Sequence, residues 1–335
     1  MVDTERRVTL TELAEAAGTS RAAASYALND QPGVSDSTRH HVLETAKRIG
    51  YKRRSPRRPV IQTRSFGVAL SPTRHHGETP NYFVAELLAG ANQEAQRRDV
   101  GLDVQIWTPN WEPDHRGRVD GVLFLGGAID PDFIAATELP AVIVGTSFSE
   151  LTVDSVLADN RQGIYLSTAH LLDQGCRRVA LLNGPDHATT TSSKLTGYAD
   201  ALIQRDLRLD FADVRTVEFD AAAGEAAARE LLSGPDRPDG IVAGDDVIAI
   251  GALHAALDLG LRVPEDLRIV GFGNSPTAEL MRPALSSVDV FLQQMGHLAV
   301  RRLLDRLDAA GSDVPFVRSL VGPRLAVRDS SGAAS

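Results

Sequence analysis

A single cysteine, Cys176, stands in a chain of 335 residues. It cannot close an internal disulfide, gives no basis for a cysteine metal site, and points to the cytoplasm. No apolar run reaches the roughly 18 residues that a membrane-spanning helix needs. Charge within the first seven residues, followed by helical texture, leaves no signal peptide to expect. The nine histidines show no HExxH spacing, and there is no GxGxxG after a strand, no GxxxxGK[ST] and no nucleophile elbow. Enzyme activity, metals and cofactors are therefore not expected. Solenoid repeats and low-complexity tracts are lacking too, apart from a Ser/Gly/Ala tail after Arg328. Acidic residues are missing from 45–77, a window holding nine Lys and Arg.

What is present begins with a length and an apolar fraction of 43%, enough for two or three units with real cores. Residues 9–51 read as three short helices. Thr9 followed by Glu12 is a capping box, and Leu10, Leu13, Ala14 and Ala17 share one helix face. Gly18 supplies the sharp turn and Ser20 caps a second helix. Ala24, Ala27 and Leu28 form the inner side of that helix; Arg21, Ala22, Ser25, Tyr26 and Asn29 form its outer side. Small residues at Ala22, Ala23 and Ala24 leave it thin enough to approach a groove. After the turn at 30–33, Ser35 opens a third helix buried through Val42, Ala46 and Ile49. This is a helix-turn-helix pattern; a three-helix bundle that binds nothing is the other reading of the same stretch.

Charge divides the chain. Residues 1–64 hold 12 Lys and Arg against 7 Asp and Glu, and the remainder holds 23 against 37. A basic front on an acidic body suggests that only the front meets a polyanion. Residues 52–65 form a basic linker in which Pro56 and Pro59 oppose a long helix. From Phe66 onward short apolar runs alternate with helical stretches. Strands are expected at 66–70, 102–107, 121–125, 141–144, 179–183, 214–219, 240–243 and 267–271. Helices are expected at 82–98, 163–174, 194–205, 222–232 and 247–259. Two βαβ series with parallel sheets follow, with a cleft between lobes where strand C-termini present loops to a small ligand. An amphipathic helix at 293–307 and returning strands within 316–327 close the chain.

The ordered blocks VTLTELAEAAGTSRAAASYALN, PGVSDSTRHHVLETAKRIGY, RVDGVLFLGG, DNRQG, HLLDQGCRRVALLNGP, KLTGYADAL, AGDDVIAIGAL, GLRVPEDLRIVGFGN, RPALSSV and PRLAVRDS cover nearly the whole length. Their series resembles the lactose-repressor (LacI/GalR) family of bacterial transcription regulators. The resemblance implies an α/β chain: an all-α helix-turn-helix head (1–51), a hinge (52–65), and a two-lobed periplasmic-binding-protein-like body (66–330), with a tail at 331–335. Lobe 1 would take 66–157 and 290–317, and lobe 2 would take 158–289 and 318–330. It implies a cytoplasmic homodimer, nucleoid-associated when bound, that reads a palindromic double-stranded operator with its second helices in the major groove. Matched positions make Arg21, Ala22 and Tyr26 base-facing. Thr9, Ser20, Ala23, Ser25, Asn29, Ser35, Thr38 and Tyr51 match phosphate-contacting or positioning sites. Members often carry arginine where Tyr26 stands, and tyrosine cannot make that bidentate contact to guanine. Many members also wedge a hinge-helix leucine into the minor groove. Val60 after Pro59 implies a weaker wedge, with Arg53, Arg54, Arg57 and Arg58 supplying charge. The short, Pro-containing 108–118 stretch implies a lobe 1 reduced on one flank.

For the cleft, the resemblance marks Tyr82, Phe83, Asp159, Thr190, Lys194, Phe219, Asp246 and Gly273 as effector-binding candidates. Core packing is an equal reading for Phe83 and Phe219. Asp245 and Asp246 resemble a metal pair, but the family context assigns them to the loop beside the cleft. Sugar-responsive members pair an arginine with an aspartate across ligand hydroxyls. Here those positions are Lys194, which lacks the planar fork, and Gly273, which has no acceptor. A different small molecule, a sugar held differently, or no effector at all remain open, the last with a partner protein in control. In each ligand-driven case cleft closure alters head spacing, and the family default is repression. A solute-binding protein is the rival reading, but it has no use for a basic DNA-reading head.

Overall fold

In the computed structural model the described residues are 9–28, 33–49, 51, 64–70, 82–106, 119–126, 129–186, 188–309 and 314–332. The chain divides into two units, Met1–Gln62 and Thr63–Ser335. Asn29, Arg53, Arg54, Arg57, Arg58, Val60 and the 108–118 stretch lie outside the described residues.

The head is α1 (Leu10–Ala16), α2 (Arg21–Leu28) and α3 (Asp36–Arg48). Each start is set by a side chain that satisfies an otherwise orphaned N–H. Glu12 N donates to Thr9 Oγ1 while Thr9 N donates to Glu12 Oε2 at 2.7 Å, closing the capping box. Ala23 N donates to Ser20 Oγ (3.1 Å) and Thr38 N to Ser35 Oγ (3.2 Å). Gly18 turns the chain at φ +60, a left-handed conformation that glycine adopts without a Cβ penalty. Leu13, Ala14, Ala17, Ala24, Ala27, Val42 and Ala46 form a small core, with Leu10, Leu28, Ile49 and Tyr51 packed at its margin.

The body holds two six-stranded sheets. The first contains β1 (Ser65–Leu70), β2 (Gly101–Ile106), β3 (Gly121–Leu125), β4 (Ala141–Val144), β5 (Asp154–Ala158) and β11 (Arg318–Val321), in the order β11-β5-β4-β3-β1-β2. The second contains β6 (Val179–Asn183), β7 (Val214–Thr216), β8 (Gly240–Ala243), β9 (Arg268–Phe272), β10 (Ser286–Asp289) and β12 (Arg324–Ala326), in the order β12-β10-β9-β8-β6-β7. Every pairing is parallel except β12 on β10. The central strands β3, β6 and β8 are buried throughout, which is why they read as unbroken apolar runs. The main helices are α4 (Tyr82–Arg97), α6 (Asn160–Asp173), α7 (Thr191–Ile203), α8 (Ala221–Leu232), α9 (Asp246–Asp258) and α11 (Leu292–Asp308); α5 (Pro131–Ala135) and α10 (Pro276–Leu280) are single turns. On the first lobe α4 and α11 touch backbone to backbone. A Cβ at Gly90 would strike the Gln293 carbonyl, and one at Gly296 the Leu87 carbonyl.

Three expectations need correction. Residues 318–321, expected in lobe 2, form β11, which pairs in register with β5 of the first sheet, so the chain returns to the second lobe only at Gly322. The strand expected at 214–219 stops at Thr216, leaving Phe219 beyond it, and β12 departs from the all-parallel pattern. Strands β5 and β10 carry too many polar residues to stand out as apolar runs, and both are buried nonetheless.

Asp154 explains part of that burial. Its fully enclosed carboxylate accepts from Arg302 Nε (2.9 Å), Arg306 Nε (2.8 Å) and Val317 N (2.8 Å), fastening α11 and the segment after it onto β5. A second tie joins two of the crossings between lobes: Asp159 N donates to Val321 O at 3.0 Å.

Candidate nucleic-acid interface and ligand cleft

The head presents one face of α2. Arg21 and Ala22 are exposed, Tyr26 is 42% exposed, and Ala23 and Ser25 are half-buried, opposite the buried Ala24 and Ala27. Ala24 belongs to the core, so the low profile of the outer side comes from Ala22 and Ala23. Tyr26 does not stand free of its surroundings. Its ring lies across Gly33, where an added Cβ would come within 3.3 Å of Cδ2. Thr38 Oγ1 sits 2.8 Å from Ser35 Oγ, so both hydroxyls belong to the start of α3. Tyr51 packs on the head core and its N–H donates to Ala46 O, a positioning role.

In the body, the cleft candidates gather at the C-terminal ends of the two parallel sheets. Phe83, from the first turn of α4, lies against Gly145 just after β4; a Cβ there would be 2.7 Å from its Cζ. Phe219 lies in the same way on Gly184 just after β6, with 2.5 Å to Cζ. Each ring thus floors one lobe where its sheet ends. Tyr82 reaches across: its hydroxyl donates to Asn274 O at 3.5 Å, and burial pushes its phenol pKa up. Thr146 Oγ1 lies 2.6 Å from Thr189 Oγ1, a hydroxyl pair that also joins the lobes.

Lys194 turns inward. It is 5% exposed, and Nζ donates to Gly244 O at 2.6 Å. The ammonium lies 4.4 Å from the Phe272 ring centroid and 5.9 Å from that of Phe219. Burial lowers its pKa to about 8, with Asp245 pulling the other way. Asp246 is 3% exposed and already engaged: Ser287 Oγ donates to Oδ1 (2.5 Å) and Ser275 N to Oδ2 (2.6 Å). Asp245 caps α9 by accepting from Val247 N. Both aspartates therefore build the loop beside the cleft. Asp159 likewise caps α6, accepting from Gln162 N at 2.9 Å. Thr190 makes no side-chain cap bond, and its neighbour Thr189 is the residue that meets the other lobe. Gly273 has φ +117, a conformation that disfavours any side chain.

Sequence reading missed the shell that holds this loop. Arg328 Nη2 donates to Asn274 Oδ1 (2.8 Å), and Asn274 N donates to Ser287 Oγ (2.9 Å). The block PRLAVRDS marked Arg328, but nothing in it showed what the guanidinium would reach. Among the described residues no group of three or more His, Cys, Asp or Glu is placed to hold a metal ion, and no helix is long and apolar enough to cross a membrane.

The buried ammonium makes a checkable prediction. Its folded-state pKa, about 8, lies below the ordinary 10.5, so below pH 8 the folded protein carries a cation that the unfolded chain holds more easily. Between pH 8 and 10.5 the unfolded chain binds the extra proton, so stability from this group rises with pH. Lys194→Met should be more stable than the parent at pH 7, and the gap should narrow toward pH 10 in paired urea-unfolding curves. A gap independent of pH would show that the ammonium is not the cause.

Comparison with known proteins joins the two units. Residues 9–54 match the model for bacterial regulatory proteins of the lacI family, and residues 168–331 match a periplasmic binding protein-like domain. The HTH-type transcriptional regulator CelR of Thermobifida fusca is 30% identical over 341 residues, covering 98% of this chain and 100% of its own. The ribose operon repressor of Haemophilus influenzae is 29% identical, covering 89% and 92%. A solved structure of a transcriptional regulator CelR–cellobiose complex superposes with a TM-score of 0.71 at 29% identity, over 97% of this chain and 100% of the other. A capped three-helix head and a two-lobed body, matched together by regulators along almost their whole length, make this chain a transcriptional regulator of the LacI family.

Proposed function

We propose that the chain is a homodimeric repressor that places α2 of each head in the major groove of a palindromic operator and responds to a small molecule between the body's lobes. The observation that carries this is the division of α2: Ala24 and Ala27 are buried while Arg21, Ala22 and Tyr26 face solvent. A helix with a small-residue outer side approaches base edges closely, and Arg21 offers the fork that reads guanine. Tyr26, held over Gly33, presents an aromatic edge and one hydroxyl in place of a second fork. Ser20, at the start of α2, and Thr9, Ala23, Ser25, Asn29, Ser35, Thr38 and Tyr51 set register on the phosphates. The basic linker adds charge that does not depend on sequence. In this reading residues 1–51 are the reading head, 52–65 the hinge, and the remainder the effector and dimerisation body.

The test is selection of duplexes from a random library by the full-length protein. An inverted repeat with half-sites about one helical turn apart, roughly 10 base pairs, is expected. Recovery of a single asymmetric site, or of no site, would sink the dimeric reading. On the selected operator, Arg57→Ala should weaken binding to all sequences alike. It should also reduce the slope of log affinity against log salt by about one per lost phosphate contact. An unchanged slope would remove Arg57 from the DNA-facing charge.

A further inference from the structure

The outer side of α2 is short of polar reading groups. From Arg21 to Leu28 the helix contains no Asn, Gln, Asp or Glu. It therefore lacks the amides that fork onto adenine and the carboxylates that accept from cytosine. Arg21 is its one strong donor, and the half-buried Ser25 hydroxyl is of a kind that suits several bases. What else faces outward is carbon: the methyl of Ala22 and the ring of Tyr26, both exposed, with Ala23 half-buried beside them. Residues four apart are neighbours on a helix surface, so Ala22 and Tyr26 form one apolar strip.

The ring is also fixed in place. Gly33, in the turn before α3, has φ +116, and a Cβ there would come within 3.3 Å of Tyr26 Cδ2 and 3.5 Å of Cε2. One side of the ring is thus backed by a glycine, while 42% of the residue stays open. A side chain already held in one position loses little freedom on binding. In the major groove the apolar feature that a base presents is the 5-methyl group of thymine. We propose that Tyr26, seated on Gly33 and extended by Ala22, reads a thymine methyl in each operator half-site. The sequence recognised by α2 then combines guanine at Arg21 with thymine at Tyr26. This inference rests on the DNA-reading head proposed above and names a base that the head selects.

The experiment is a thymine-to-uracil scan of the selected operator. Each thymine is replaced in turn, in both half-sites together, by 2′-deoxyuridine, which lacks only the methyl. Full-length protein is titrated onto each duplex by fluorescence anisotropy. One symmetric thymine pair should stand out. Losing one buried methyl weakens binding about 4-fold, and losing it in both half-sites about 15-fold. Tyr26→Phe, which keeps the ring, should show the same penalty at that pair. Tyr26→Ala should bind the thymine and uracil operators alike. Undiminished binding of Tyr26→Ala to a scrambled duplex certifies its head. Should that binding fail, Tyr26→Gln, which also lacks the ring, repeats the test and should likewise lose the penalty. An operator in which no thymine methyl matters, or a penalty kept whole without the ring, overturns the proposal and leaves the DNA-reading head intact. A protein that selects no operator sinks the reading beneath it, and this inference with it.

Discussion

Replacing Asp154 by alanine should destabilise the body by about 3–5 kcal/mol, the range for removing one partner of a buried ion pair. The carboxylate is fully enclosed, and the two arginine side chains it holds are only 18% and 15% exposed. Without it, two guanidinium groups and the Val317 N–H lose an acceptor they share. Arg302 and Arg306 keep carbonyl partners at Pro315 and Val314, so α11 will not come free, but its charge will have no counter-ion. Urea unfolding of the full chain reads the loss. Asp154→Asn should fall between, because the amide oxygen still accepts from one donor. A loss under about 1 kcal/mol for Asp154→Ala would mean that the arginines escape to water, where such pairs are worth little.

Arg21→Ala should have the largest effect on DNA. A bidentate base contact is worth about 1–3 kcal/mol, and a dimer loses it twice, so about 2–6 kcal/mol is at stake on the selected operator. Even the low end is roughly a 30-fold loss. Affinity for unrelated duplexes should change far less, because the phosphate contacts remain. Fluorescence anisotropy against operator and scrambled duplex measures both. Equal losses on the two duplexes would demote Arg21 to a phosphate contact and leave base reading to Ala22 and Tyr26.

The head was almost fully legible because its information is local. Thr9, Ser20 and Ser35 cap helices within three residues of themselves, and Gly18 fixes its turn by its own φ. The strands that read clearly, such as β3 and β8, are buried on both faces and carry no polar residue to confuse the pattern. Strand β5 was illegible for the opposite reason. Its first residues, Asp154 and Ser155, look like a loop until two arginines 148 and 152 residues away are seen to satisfy the acid. The cleft shows the same limit. The resemblance singles out Lys194 and Asp246, but only geometry shows one pointing at a carbonyl and two rings and the other spent on Ser287 and Ser275. Thr146, Thr189 and Arg328 escaped because each acts on a partner distant in sequence, and none is unusual where it stands.

The return of the chain through β11 and then β12 sets a schedule for synthesis. The first sheet gains its last strand at Val321 and the second at Ala326, so neither sheet is complete before residue 321 has been made. The head core, by contrast, is complete at Tyr51. At about 5–20 residues per second, roughly 15–55 s separate the two events. For that interval a ribosome carries a finished head on an unfinished body, and from Asp289 onward strands β5 and β10 wait for their last partners. Chaperone demand should therefore fall on the body alone.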